Sequence, residues 1–153
     1  MKALDCYLKD PKGDNLMMCY NNLGTCYIEL ENYPEALHYF QLAIDEADKL
    51  NFAGKDIIRL NMGCIQYQQK EFEAALKSFQ TAGEYFKKKN MLSYLSDAYL
   101  NIGLTLLKLD QPEKGREYFH KSYNQKKELN DLNGMCRTLH VIGNTLLDLG
   151  KDD

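Results

Sequence analysis

One segment of the chain appears three times at nearly constant spacing. It reads NLGTCYIELENYPEALHYFQLA from Asn22, NMGCIQYQQKEFEAALKSFQTA from Asn61 and NIGLTLLKLDQPEKGREYFHKS from Asn101. A shorter copy, VIGNTLLDLG, begins at Val141, so successive copies start 39, 40 and 40 residues apart. Copies in a constant register predict a solenoid, in which similar units stack and bury a continuous core between them.

Each copy contains two helical patterns that are separated by a short polar joint. In the first copy, helix A has apolar residues around Gly24, and helix B carries an inward stripe of Ala36, Phe40 and Ala43. Spacings of three and four residues place such a stripe on one face of a helix. Pro34 follows the joint, where proline suits the first turn of a helix. After a short helical start, the register predicts no strands and seven substantial helices, over residues 16–31, 34–50, 55–69, 73–89, 93–109, 113–129 and 133–149.

Small residues recur where two helices would approach each other closely. A glycine inside a helix costs about 1 kcal/mol relative to alanine, so its return in each copy indicates a close approach of backbones. The four glycines are Gly24, Gly63, Gly103 and Gly143. The large aromatic residues that would fill the space between neighbouring helices are Phe40, Phe79 and Phe119. We therefore expect an all-α chain of antiparallel helix hairpins, stacked into a right-handed superhelix with a concave face.

The order of these residues resembles the tetratricopeptide repeat. The residues of the first copy that match its pattern are Tyr20, Leu23, Gly24, Tyr27, Ala36, Phe40 and Ala43. The spacing of about 40 residues is similar to that of the long-helix subclass found in kinesin light chains, Pins-type adaptors and Rap-like peptide receptors. Individual repeats depart from the pattern, because Gln66 and Leu106 replace the second aromatic residue, and Gly115 and Ser122 replace alanines.

The register also predicts how the chain is divided. We expect one repeat domain over residues 1–153 with about three and a half repeats: a partial repeat 1–15, repeats 16–54, 55–94 and 95–134, and a partial repeat 135–153. Ala3 matches Ala43, and Gly150 occupies the joint after the fourth helix A, so both ends resemble severed repeats. We expect either a fragment of a longer array or self-association through uncapped terminal helices, where Leu139 would lie uncovered.

The resemblance implies binding of an extended or helical peptide in a concave groove that helix A lines. Asn22, Asn61 and Asn101 occupy the same place in three copies, two residues before the glycine. A carboxamide both donates and accepts hydrogen bonds, so a ladder of asparagines can pair with the main chain of a bound peptide. The alternative is that these side chains bond to neighbouring helices or face water. The fourth copy has Val141 at this place and Asn144 one turn later.

Further candidates for the groove lie on the same helices. Arg137 and His140 are three residues apart on the last helix A and could receive a ligand carboxylate or acidic side chain, although the pattern favours the alternative, a solvated helix face. Asn21 adds a polar group to the first helix A. Leu60 and Leu100 would form an apolar floor of the groove, or else pack between A helices.

Composition argues against several classes of partner. The chain has 19 Lys+Arg and 22 Asp+Glu, and the formal charge of -3 exerts no pull toward nucleic acid or anionic lipid. No apolar stretch reaches the roughly 18 to 20 residues that cross a membrane, and the first residues lack the apolar run of a signal peptide. A cytoplasmic location is therefore expected. The five cysteines form no metal-binding pattern and are expected to be reduced.

Catalysis finds little support in the sequence. His38, His120 and His140 fall at different positions of different helices, which argues against a metal site. The glycines are too widely separated for a phosphate-binding loop. We expect no catalytic residues, no metal and no cofactor. Two hypotheses remain: an adaptor or scaffold that binds a protein or peptide partner, and, as the alternative, the peptide-sensing regulatory domain of a signal-responsive regulator.

Overall fold

Seven helices account for nearly all of the chain that the computed structural model describes, namely the backbone of residues 13–50, 52 and 54–149 and the side chains of residues 16–50, 52 and 54–144. Their bounds are α1 Gly13–Glu29, α2 Tyr33–Lys49, α3 Lys55–Gln68, α4 Phe72–Lys88, α5 Leu92–Lys108, α6 Pro112–Glu128 and α7 Leu132–Leu149. No strand occurs among these described residues. The all-α prediction is confirmed, and apart from the start of α1 the predicted bounds are within two residues of those found. The predictions about Ala3 and Gly150 fall outside the described residues.

The helices belong to two compact units. The first unit ends at Glu71 and holds α1 to α3, and the second begins at Phe72 and holds α4 to α7. In repeat terms, α1, α3, α5 and α7 are A helices, whereas α2, α4 and α6 are B helices. The expectation of one repeat domain over the whole chain stays a prediction.

The core of the first unit lies along the inward stripe of α2. Ala36, Phe40 and Ala43 are completely buried. Met17 from α1 and Ile58 from α3 belong to the same apolar cluster, and both are buried. The stripe that the sequence predicts is therefore the one that α2 buries against its two neighbouring A helices.

In the second unit, α4 and α6 both pack against α5, and α7 packs against α6. Phe79 of α4 is only 1% exposed and Phe119 of α6 only 2%, which confirms the register. Ser122 of α6 occupies the register position of an alanine and is completely buried. Its hydroxyl donates a hydrogen bond to the backbone carbonyl of Ser96 at 2.8 Å. A buried hydroxyl with such an acceptor carries little penalty, so serine can replace alanine here.

Two of the recurring glycines of helix A face a phenylalanine of helix B. A Cβ atom on Gly24 would lie 2.7 Å from the ring of Phe40, and one on Gly103 would lie 2.5 Å from the ring of Phe119. These distances are too short for a real side chain. A Cβ atom on Gly103 would also lie 3.0 Å from the backbone oxygen of Gly115, which confirms the predicted close approach of backbones there. At Gly24 the ring of Phe40, a side chain, fills the space. At Gly143 no described atom lies within 4 Å of that position, and the prediction is wrong there.

The joints between most of the helices share one backbone motif. Each has a residue other than glycine in the left-handed region, with φ between 54 and 63°, at Glu31, Lys70, Asn90, Asp110 and Asn130. At the first joint, the N–H of Glu31 donates to the carbonyl of Ile28, and the N–H of Asn32 donates to that of Tyr27, both at 2.9 Å. The same pair of hydrogen bonds closes the other four joints. This Schellman motif satisfies the last carbonyls of each helix and turns the chain sharply into the next.

Candidate functional site

The asparagines of the candidate ladder lie on the sides of the A helices that face away from their buried glycines. A residue two positions before another is about 200° from it around the helix axis. Gly24 and Gly103 face phenylalanines of helix B. Consistent with this geometry, the side chain of Asn22 is exposed and those of Asn61 and Asn101 are half-buried. All three therefore retain access to solvent while the glycine side of each helix is buried.

The apolar candidates differ from the asparagines. Leu60 is 8% exposed and Leu100 is 4% exposed, so both are buried, which favours the packing alternative over an apolar floor open to a ligand. Asn21 is half-buried, and its carbonyl accepts a hydrogen bond from the Thr25 hydroxyl at 3.1 Å. The exposed apolar group among the residues of α1 is Met18, at 57%. An adaptable thioether on this surface is available for contact with a partner.

The candidates on α7 form a polar row along one side of that helix. Arg137, His140 and Asn144 are all exposed, and spacings of three and four residues align them. The structure brings two of them together, because Asn144 Nδ2 lies 3.0 Å from His140 Nε2. The exposed donors of this row suit an acidic group. Leu139, on the same helix, is 51% exposed, as the sequence predicts.

A buried ion pair in the second unit was not anticipated from the sequence. Lys126 of α6 is buried, and its Nζ lies 2.8 Å from Asp97 Oδ1 on α5 and 3.5 Å from Asp131 Oδ2 in the joint before α7. One ammonium thus connects α6, α5 and the joint before α7. The sequence did contain a signal for this burial. Lys126 occupies the register position of Ala47 and Phe86, which are both completely buried.

Asp131 has a second structural role beside this lysine. Its carboxylate accepts a hydrogen bond from the N–H of Gly134 at 2.9 Å, which caps the first turn of α7. That bond and the nearby charge of Lys126 lower the pKa of the Asp131 carboxyl below its ordinary value of 3.8. The group is therefore ionised under all but strongly acidic conditions. The Asp131 carboxylate thus caps the start of α7, the helix that carries the polar row.

Two further findings concern other kinds of site. Within the part of the chain that the structure describes, no group of three His, Cys, Asp or Glu side chains is placed to hold a metal ion. None of the described helices is long and apolar enough to cross a membrane.

Comparison with protein families agrees with the register and the hairpins. Two models of the tetratricopeptide repeat match the chain, one over residues 18–48 and the other over residues 96–128. These spans coincide with the hairpins α1–α2 and α5–α6. The chain contains tetratricopeptide repeats at these two hairpins. Tetratricopeptide repeats are protein–protein interaction modules. No curated protein matches the chain.

Solved structures of tetratricopeptide-like arrays have the same fold. The N-terminal domain of stress-induced protein-1 from C. elegans is 13% identical with a TM-score of 0.68, and the match covers 84% of this chain and 96% of that domain. Aspartyl phosphate phosphatase F from Bacillus subtilis is 24% identical with a TM-score of 0.78 over 82% of this chain. The Rap conjugation gene regulator of plasmid pLS20, solved in complex with the Phr peptide, is 14% identical with a TM-score of 0.79 over 91% of this chain. The chain spans only 33% of the phosphatase and 40% of the regulator.

Proposed function

We propose that this tetratricopeptide array is an interaction module that binds an extended or helical segment of a partner protein along its A helices. The observation that carries the proposal is the shared placement of Asn22, Asn61 and Asn101. Each lies two residues before a buried glycine, and each is exposed or half-buried. Because the three asparagines share one register position, each can offer its carboxamide to the main chain of a bound peptide.

The chemistry of the asparagines suits recognition of a main chain. A carboxamide offers two N–H donors and one carbonyl acceptor, which complement the C=O and N–H groups of an extended peptide. Such pairing is independent of the sequence of the ligand, so neighbouring side chains must provide specificity. Met18 on α1 and the polar row on α7 provide contrasting surfaces for this purpose, one apolar and the other suited to a carboxylate. We propose that Arg137, His140 and Asn144 receive an acidic side chain or the terminal carboxylate of the ligand.

An experiment with selected peptides tests this proposal. Peptides are first selected on the purified chain from a random displayed library, and their affinities are then measured by calorimetry. The triple variant Asn22→Ala, Asn61→Ala, Asn101→Ala should bind at least about tenfold more weakly, since each lost hydrogen bond costs about 0.5 to 1.5 kcal/mol. Circular dichroism should show unchanged helical content, because all three side chains retain access to solvent.

The matched control replaces exposed polar residues on the B helices. Gln41, Thr81 and Asn124 are exposed on α2, α4 and α6, one on each B helix. Their joint replacement by alanine should leave the affinity for the selected peptides unchanged. If the asparagine variant binds as tightly as the parent chain, or if the control loses as much affinity, then the A helices do not form the binding surface.

A second candidate function is peptide sensing. It is supported by the likeness in fold to two longer bacterial proteins, one of them a gene regulator solved with a peptide. A sensor must change its conformational equilibrium when it binds, whereas an adaptor need not. Small-angle scattering of the chain with and without a saturating selected peptide separates the two. A changed radius of gyration supports the sensor, and an unchanged one supports the adaptor.

A further inference from the structure

A cleft of about 360 Å³ lies within the second unit, between the B helices α4 and α6. Gly83 from α4 and Ile102 from α5 line it and are both buried, so they form its floor. Lys87 on α4 and Lys121 on α6 also line the cleft, and both are exposed, so they form opposite rims. A volume of this size holds a bulky side chain together with the backbone on either side of it.

The cleft exists because one side chain is missing from the register. Gly83 aligns with Ile44 in the previous repeat, which is buried, and with Tyr123 in the next, which is half-buried. Packing does not require a glycine here. A Cβ atom on Gly83 would lie 3.6 Å from the Cβ of Ala98 and 3.9 Å from Ile102 Cδ1, which are ordinary contact distances. A helix interior normally disfavours glycine by about 1 kcal/mol, so this glycine keeps space open at a cost in stability.

The walls of the cleft are aromatic. The rings of Tyr99 on α5 and Tyr118 on α6 lie 5.7 Å apart, centroid to centroid. Burial, together with the neighbouring Tyr118, raises the pKa of the Tyr99 hydroxyl above its ordinary value, so the hydroxyl stays protonated and can donate a hydrogen bond. Lys121 Nζ lies 4.4 Å from the centre of the Tyr118 ring, which holds the ammonium over the aromatic wall.

The rims of the cleft carry an excess of positive charge. Lys87 and Lys121 are opposed by a single lining carboxylate, that of Glu84. An apolar floor, aromatic walls and cationic rims together complement a ligand that carries an apolar group flanked by carboxylates.

We infer that this cleft binds an acidic segment of a partner protein, with one aromatic or large apolar side chain seated on Gly83 and Ile102 and flanking carboxylates paired with Lys87 and Lys121. A protein segment is favoured over a small acid because the two cationic rims stand on different helices, on either side of the apolar floor. This site is separate from the asparagine surface. Asn101 points about 130° away from the mean direction of Tyr99 and Ile102 around the axis of α5. The inference therefore goes beyond the proposed function and does not depend on it.

The test uses two short probe peptides on the isotopically labelled full chain, followed by amide NMR shifts. The acidic probe is acetyl-Asp-Phe-Asp-amide, and the neutral probe of equal shape is acetyl-Asn-Phe-Asn-amide. The acidic probe should shift the amides around Gly83, Tyr99 and Lys121 and bind about fivefold more tightly than the neutral probe, since two partly solvated charge pairs are involved. Equal affinity of the two probes, or no shift at these amides, overturns the inference.

Variants locate the site and exclude a general charge effect. Lys87→Glu with Lys121→Glu should abolish the preference for the acidic probe, whereas Lys108→Glu with Lys127→Glu, an equal charge change at exposed positions of α5 and α6, should retain it. Gly83→Leu should abolish binding by filling the floor, and Gly83→Ala, which fits at ordinary contact distance, should weaken it with the fold intact. Unchanged binding in either the lysine or the glycine variants contradicts the site.

Two further comparisons test whether the cleft prefers a peptide to a small acid, and whether it is separate from the asparagine surface. N-acetyl-phenylalanine, a small aromatic acid, should bind more weakly than the acidic peptide. Tighter binding of the small acid overturns a protein segment as the occupant. Asn101→Ala should leave binding of the acidic probe unchanged. Loss of binding in that variant would mean that the cleft and the asparagine surface are one site. That result would overturn the proposal of a separate site.

Discussion

The ammonium of Lys126 lies 2.8 Å from the carboxylate of Asp97, and so joins α6 to α5 inside the second unit. The lysine side chain is only 4% exposed, whereas that of Asp97 is 38% exposed. Burial of an ammonium is costly unless a carboxylate compensates it, and the cost of losing either partner is therefore unequal. Removal of Asp97 leaves the buried ammonium with only the more distant carboxylate of Asp131, at 3.5 Å, whereas removal of Lys126 leaves a carboxylate that water can reach.

This asymmetry gives the first prediction. Asp97→Ala should lower the free energy of unfolding by about 1 to 3 kcal/mol, because a buried cation loses its nearer partner. Lys126→Met should be nearly neutral, since an apolar chain of similar length fills the same space. Urea unfolding measures both, with Asp45→Ala on the exposed side of α2 as the control. A cost for Asp97→Ala no greater than that of the control would show that the ion pair is unimportant for stability.

The second prediction compares Gly103, which recurs in every copy of the repeat, with Gly83, which does not. A Cβ atom on Gly103 would lie 2.5 Å from Phe119 and 3.0 Å from the carbonyl oxygen of Gly115, whereas one on Gly83 makes only ordinary contacts. Gly103→Ala should therefore destabilise the chain by about 1 to 3 kcal/mol through overpacking. Gly83→Ala should stabilise it by up to about 1 kcal/mol through helix propensity. Thermal unfolding of the pair should give shifts of opposite sign, and shifts of the same sign would contradict this packing.

The third prediction concerns the left-handed residue at the end of α3. Lys70 has a φ of 63°, which costs a residue with a Cβ about 1 to 2 kcal/mol. Lys70→Gly should raise the free energy of unfolding by about 0.5 to 1 kcal/mol after the greater flexibility of unfolded glycine is subtracted. Asn130→Gly, at the same position of another joint, should gain less, because asparagine tolerates this conformation. The denaturant midpoints of the parent chain and the two variants measure these gains. A lower midpoint for Lys70→Gly would contradict a left-handed residue at this joint.

The fourth prediction is that the stability of the folded chain depends on pH through the carboxyl group of Asp131. Its pKa is lowered in the folded chain, first by the N–H of Gly134 and also by Lys126. Such a carboxylate contributes stability above its ordinary pKa of 3.8, and this contribution is lost as the pH falls through the lower folded value. Asp131→Asn keeps a capping oxygen but not the charge. The stability gap between parent and variant should be constant from neutral pH to about pH 4 and close below it. If this difference in stability persists in stronger acid, the charge of Asp131 is not its cause.

The helices and their register could be predicted from the sequence because the strongest signals are periodic. Phe40, Phe79 and Phe119 recur with the repeat, and each is buried as expected. The prediction was weaker for the A helices, which have apolar residues on more than one side. Leu60 and Leu100 are as apolar as a groove floor requires, yet both are buried. Periodicity identifies which residues share a helix face but does not say which neighbour covers that face.

Residues that depart from the repeat pattern have surroundings that the register does not predict. Lys126 occupies a buried register position, and only its distance to Asp97 explains how a charge is accommodated there. Gly83 stands where the neighbouring repeats have Ile44 and Tyr123, and its surroundings show that no close approach requires a glycine there. In both cases the relevant information lies in residues that are distant in sequence, from other helices. A single sequence cannot supply that information.

The affinity of backbone-modified peptides tests the central claim most directly, that the A-helix asparagines bind the main chain of a partner. A selected peptide is made in a series in which one amide at a time is N-methylated, which removes a donor without changing any side chain. We predict that calorimetry finds two or more positions where methylation weakens binding by about tenfold to the parent chain but not to the variant lacking the side-chain amides of Asn22, Asn61 and Asn101. Equal losses with parent and variant, or no loss at any position, would contradict the account.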